Sequence, residues 1–106
     1  MRWADLTGFQ RDIIEAVARL EDSNTERSGQ AIRNVLEKTH SEVLHGRLYQ
    51  NLDSLIDDRL LERGSIDGRT NRYTLTVDAH RLLHDRLERL ADACGEQVIV
   101  TDGGQR

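Results

Sequence analysis

Apolar residues recur along this chain at two different periods, and the change between them sets the order of its elements. Phe9, Ile13, Ile14, Val17 and Leu20 stand three or four positions apart, which predicts an amphipathic helix over roughly residues 8–21. Thr7-Gly8-Phe9-Gln10 fits a capping box, in which the Thr hydroxyl and the Gln side chain satisfy free backbone donors reciprocally. Glu21-Asp22-Ser23-Asn24-Thr25 reads as a polar loop, and a second helix follows from about Ser28, burying Ala31, Ile32, Val35 and Leu36. Glu42-Val43-Leu44 is long enough only for one brief strand.

From His45 to about Leu60 the apolar positions are Leu48, Leu52, Leu55, Ile56 and Leu60, again at helical spacing. The pattern then alternates. Leu61–Ile66 and Arg72–Thr76 flank Asp67-Gly68-Arg69-Thr70-Asn71, whose Asp-Gly step is a strong hairpin signal. Thr76 is placed to cap a last long helix reaching about Cys94, with Gly95 suited to its C-terminus. Its stripe is Ala79, Leu83, Leu87, Leu90 and Cys94, widened by Leu82. The predicted fold is mainly α with a small β-hairpin: a winged helix-turn-helix over residues 1–76, a C-terminal dimerisation helix over 77–95, and a short tail over 96–106.

Composition sharpens this picture. A chain of 106 residues allows one domain, and its hydrophobic fraction of 37% is lean, so further burial through an oligomer interface is expected. Apolar runs such as Gln97-Val98-Ile99-Val100 are far too short to span a bilayer, and no signal segment precedes the first helix, which predicts a soluble cytoplasmic protein. One cysteine excludes an intrachain disulfide and a Cys-based structural zinc site within one chain. Net charge is −4, fourteen of the fifteen bases are Arg, and eleven of the nineteen acids are Asp. Such a surface suits a concentrated-salt cytoplasm, although a GC-rich genome also favours Arg. The acid lies mostly at the two ends, while residues 45–76 carry five bases and five acids.

In a winged helix-turn-helix, the third helix packs by its apolar face and offers the opposite face to the major groove. Here that face carries Arg47, Gln50, Asn51 and Ser54. Arginine can fork onto guanine O6 and N7, and Gln or Asn can pair with adenine N6 and N7. Tyr49 is placed half in the core, with its hydroxyl toward a phosphate. The hairpin is locally basic through Arg63, Arg69 and Arg72, and Arg69, Thr70 and Asn71 are expected at its tip, where phosphate or minor-groove contacts suit short polar donors. Ser28 and Gln30, opening the second helix, are candidates for holding phosphate, and Ser28 serves equally well as a cap.

His45-Gly46-Arg47-Leu48-Tyr49-Gln50-Asn51-Leu52, then Leu55-Ile56 and Leu60-Leu61-Glu62, then Arg69-Thr70-Asn71-Arg72-Tyr73-Thr74-Leu75-Thr76, resembles the PadR family of winged-helix transcriptional regulators. Within it, the sequence is most similar to the halophilic-archaeal branch, whose best-known member is a global regulator of the oxidative-stress response. The resemblance covers about residues 6–90. It implies a homodimer built through the C-terminal helix that binds palindromic operators in double-stranded DNA and usually represses, with a stress-response role. Two positions depart from the family pattern: Gln50 stands where many members have Pro, and Thr76-Val77-Asp78-Ala79-His80 lacks the Gly common after the Leu-Thr step.

Other chemistry is sparse. His80, His84 and Glu88 share a helix face at a spacing that could hold a divalent metal, against the plainer reading of a solvated face. Cys94 reads as a small buried residue near a dimer seam. No nucleophile–base order or glycine-rich phosphate loop stands out, so neither an enzyme nor a cofactor is expected. The competing class is a winged-helix module whose third helix and wing bind a protein instead of DNA.

Overall fold

The computed structural model describes residues 1–97. After a single 3-10 turn at Trp3–Asp5 come α1 (Gly8–Asp22), α2 (Gly29–Leu36), α3 (His45–Asp57), an antiparallel hairpin of β1 (Leu61–Ser65) and β2 (Asn71–Leu75), and α4 (Val77–Ala93). This is the predicted mainly α winged-helix order. Part of the expected tail, from residue 98 onward, lies outside the described residues.

Three short-range devices set the boundaries. Thr7 Oγ1 accepts from the Gln10 N–H at 3.1 Å while Gln10 Oε1 accepts from the Thr7 N–H at 3.1 Å, the capping box read from the sequence. Ser28 and Thr76 likewise cap α2 and α4, accepting from the Ala31 and Ala79 N–H groups. Asp67 Oδ1 accepts from the Arg69 and Thr70 N–H groups and orders the hairpin turn, whose Gly68 takes a φ of 85°.

The core joins the inward faces of α1, α2 and α3 to the wing. Ile13, Val17, Ile32, Val43, Leu48, Leu52 and Leu55 are fully buried, and Tyr73 of β2 nearly so. Each such side chain contributes about 1.5–3 kcal/mol relative to exposure, so these contacts fix how α3 sits on α1 and α2.

Four expectations need correction. Glu42-Val43-Leu44 is not a strand: Val43 plugs into the core and its N–H donates to Glu37 Oε2 at 3.4 Å. The segment that extends the sheet edge is instead Arg27, whose carbonyl accepts from the Tyr73 N–H at 2.9 Å while its Nε donates to the Tyr73 carbonyl. Helix α3 stops at Asp57 rather than near Leu60, because Arg59 turns left-handed at φ 60° and the Leu60 N–H closes back onto the Leu55 carbonyl. That reversal sends Leu60 into the core.

The wing strands also differ by one residue: β1 starts at Leu61 as expected but ends at Ser65 rather than Ile66, and β2 starts and ends one residue earlier than expected. Asn71 is the first residue of β2, paired with Ser65, rather than part of the tip, and Thr76 leaves the strand to cap α4. Finally, the α4 stripe divides. Ala79 is fully buried in the protomer's own core and is therefore not available to a partner, Leu82 and Leu83 are half-buried, and Leu87 and Leu90 stay 47% and 46% exposed. Cys94 is exposed in the protomer, at the C-cap of α4.

Candidate nucleic-acid interface

Helix α3 begins at His45 behind Leu44, which supplies no capping side chain. Its first N–H groups are therefore left to solvent or to a ligand. Gly46 follows with open space on its Cβ side, so the start of the helix is unobstructed.

The side chains read as one polar face separate into three directions. Gln50 is exposed on the outer face, with Ser54 half-buried beside it. Arg47 and Asn51 lie on the flank toward α1. The Arg47 guanidinium stacks 3.8 Å from the Phe9 ring centroid, a cation–π contact with a typical value of about 0.5–2 kcal/mol. Phe9 is met edge-on by His40, whose Nε2 lies 2.9 Å from Asp12 Oδ2. Asn51 Nδ2 donates to the Arg47 carbonyl at 2.8 Å, so its amide is spent on its own helix. For Arg47 to reach a base edge it must leave Phe9, and for Asn51 to do so it must give up that bond.

Tyr49 occupies the opposite flank. It is half-buried, its ring is stacked on His45 at 4.3 Å, and its hydroxyl end presses on Gly29 at the start of α2. Only a glycine admits this approach: a Cβ at Gly29 would come within 2.6 Å of Tyr49 Cζ. The contact draws the starts of α2 and α3 together. The wing tip closes the third side, forming a cleft of about 500 Å³ where Ser28, Gly29, Gln30, His45 and Tyr49 face Arg69, Thr70 and Asn71, with the Glu26 carboxylate at its edge.

Within the cleft, Ser28 is buried and its hydroxyl is committed to capping α2, so any anion contact at this position falls to backbone N–H groups. Gln30 is exposed, its amide oriented by Asn34 Oδ1 at 2.9 Å. Asp67 is held below the usual aspartate range, first by the Thr70 N–H and then by the Arg69 N–H, which keeps the turn carboxylate charged. Of the wing arginines, Arg63 pairs with Asp53 and ties β1 to α3. Arg72 is exposed and lies across Gly64, while Arg69 is exposed at the tip.

Sequence reasoning missed His45 and Gly29. The aromatic His45-x-x-x-Tyr49 spacing was available as a signal. The role of Gly29 depends on a contact between two helices and had no local signature. His80, His84 and Glu88 are not brought together: among the described residues no group of three or more His, Cys, Asp or Glu is arranged to hold a metal ion, and His80 is turned onto Glu21.

The chain is similar to solved structures of RosR from Halobacterium salinarum. In the RosR–S4 complex the identity is 37%, the TM-score is 0.76, and the match covers 89% of this chain and 78% of that one. RosR grown from NaBr matches at 37% identity and TM-score 0.75, covering 89% and 82%. F93 from STIV, a winged-helix DNA-binding protein, shares the fold at TM-score 0.62 and 20% identity, covering 87% and 99%. No protein-family model matches the sequence, and no curated protein does.

Proposed function

Because the chain belongs to the RosR family of winged-helix regulators, we propose that it is a sequence-specific DNA-binding transcription regulator acting as a homodimer on palindromic operators. The observation that carries this reading is the cleft: the opening of α2, the uncapped start of α3 and the wing tip converge there, and the exposed Gln50 follows its wall residue Tyr49 on α3. In that arrangement Gln50 and a released Arg47 read base edges, while Arg69, Arg72 and the backbone at Gly29 and Gln30 hold phosphates. Ser54, Thr70 and Asn71 are shorter-reach polar contacts, and Tyr49 shapes the cleft wall. Arg63 acts indirectly, by holding the wing against α3 through Asp53.

The dimer half of the proposal rests on a second surface. Leu83, Leu87 and Leu90 of α4 line a groove of about 540 Å³ with Trp3 and Gly8. Two leucines nearly half-exposed on so small a chain suit coverage by a second copy of the helix. Pairing there would set two α3 helices on successive half-sites. The PadR-like assignment, the stress-response role, the absence of catalysis and a cytoplasmic location belong to this same proposal. Among the described residues no helix is long and apolar enough to cross a membrane.

Footprinting of the purified protein on genomic fragments, followed by two variants, tests this reading. Arg47→Ala is expected to weaken operator binding by about 1–3 kcal/mol and relax preference at one position. Arg69→Ala should weaken all duplexes alike, as a phosphate contact does. Failure to bind any duplex across the salt range would return the protein to the protein-interaction class.

A further inference from the structure

The outer edge of β2 is completed by one backbone carbonyl and one side chain from elsewhere in the chain. The Tyr73 N–H donates to the Arg27 carbonyl, and two residues on, the Leu75 N–H donates to Glu21 Oε2 at 3.0 Å. Glu21 sits in the last turn of α1 with only 18% of its side chain exposed. Arg27 Nε lies 3.8 Å from the same oxygen, and on the other side His80 Nε2 of α4 lies 3.2 Å from Glu21 Oε1. One carboxylate thus takes a partner from the strand, one from the α1–α2 loop and one from α4.

The position matters because Leu75 is the last residue of β2 and Thr76 the N-cap of α4, so the wing turns into the last helix here. Thr76 is pinned from the opposite side: its N–H donates to the Leu60 carbonyl at 3.1 Å and its hydroxyl to the Arg59 carbonyl at 2.8 Å. The joint is therefore clamped between α1 and the end of α3. Without Glu21 the Leu75 N–H would lose the one acceptor it has among the described residues, at a half-covered strand edge, which is costly for a backbone donor.

We propose that Glu21 is a positioning residue that latches the wing to α4, so that the orientation of the wing and the direction of α4 are set together. Resting on the DNA-binding dimer reading above, the latch fixes the distance between the two half-sites that a dimer accepts. Among the described residues Glu21 reaches Leu75 directly and α4 through His80, so the two arms can be cut separately.

The experiment compares the full-length parent with His80→Ala and Glu21→Ala. His80 is half exposed, so its removal leaves the core intact and severs only the α4 arm. Affinity is measured for an isolated half-site and for operators whose half-sites are native, closer, or farther apart, and hydrogen exchange is followed at the Leu75 amide. His80→Ala should bind the half-site like the parent, while its discrimination between spacings falls by about fivefold or more. Its Leu75 amide should also exchange severalfold faster, although that amide bonds to Glu21 and not to His80. Glu21→Ala should speed that exchange further and weaken the half-site as well. Parent-like spacing discrimination in His80→Ala overturns the latch, and so does unchanged Leu75 protection. If the parent binds no duplex at all, the DNA-binding reading falls, and Leu75 exchange in His80→Ala then decides the latch alone.

Discussion

Gly29→Ala tests whether the approach of α2 to α3 is set by the tyrosine contact. On an ordinary helix position this change stabilises, since alanine is favoured over glycine by up to about 1 kcal/mol. At Gly29 the new Cβ would meet the Tyr49 hydroxyl and come within 2.6 Å of Cζ and 3.1 Å of Cε1. The ring cannot retreat cheaply, because its other side is stacked on His45 and its backbone belongs to the helix that carries Leu48 and Leu52 into the core. Overpacking of this kind costs about 1–3 kcal/mol, so the net expectation is a loss of about 1–2 kcal/mol. Tyr49→Phe should not relieve it, since Cζ remains in the way. Tyr49→Ala should, and in that background Gly29→Ala becomes neutral or stabilising, giving a coupling of about 1–3 kcal/mol. Urea denaturation of the four proteins at one fixed protein concentration measures this, because association would otherwise shift the midpoints. A Gly29→Ala protein more stable than its parent would refute the reasoning, as would an equal penalty with and without Tyr49.

Leu87→Asp should yield monomers in sedimentation and a large loss of operator affinity, since linked half-sites bind together; a parent that is itself monomeric at micromolar concentration ends the dimer proposal. At the wing tip, the depressed Asp67 carboxyl stabilises the turn at pH above the usual aspartate range, and that contribution is lost as pH falls through its lower folded value. The Arg69 and Thr70 amide resonances should therefore shift on acidification in the parent and lose that transition in Asp67→Asn, and matching titrations would argue against it. Salt gives the last test: Asp57 and Asp58 are exposed at the end of α3, and cations held between such carboxylates and phosphate would offset counterion release. Operator affinity should therefore fall with potassium chloride more shallowly than about 0.9 log units per tenfold rise in salt for each phosphate contact, and more steeply once both are made neutral. An already steep parent slope, unchanged by the substitutions, removes this account of the interface.

The sequence determined whatever depends on neighbours a few positions away. The capping box at Thr7 and Gln10, the caps at Ser28 and Thr76, and the turn at Asp67-Gly68 are satisfied by backbone groups within three residues, so they could be read before any fold was known. The three-four spacing of Leu48, Leu52 and Leu55 likewise identified the buried face of α3. It did not identify where the flanks of that helix point. Arg47 lies over Phe9, Tyr49 over Gly29, and Asp53 against Arg63, and each partner comes from a different element. Glu21 reads locally as a loop acid, yet it joins β2 and α4. Ala79 belongs to a stripe of residues at one period, and only packing against the core separates it from Leu87 and Leu90. Period fixes which residues share a face, because it follows from the geometry of one helix. What that face meets is fixed by close packing between helices and sheet, which selects one arrangement of elements and is a property of the whole chain.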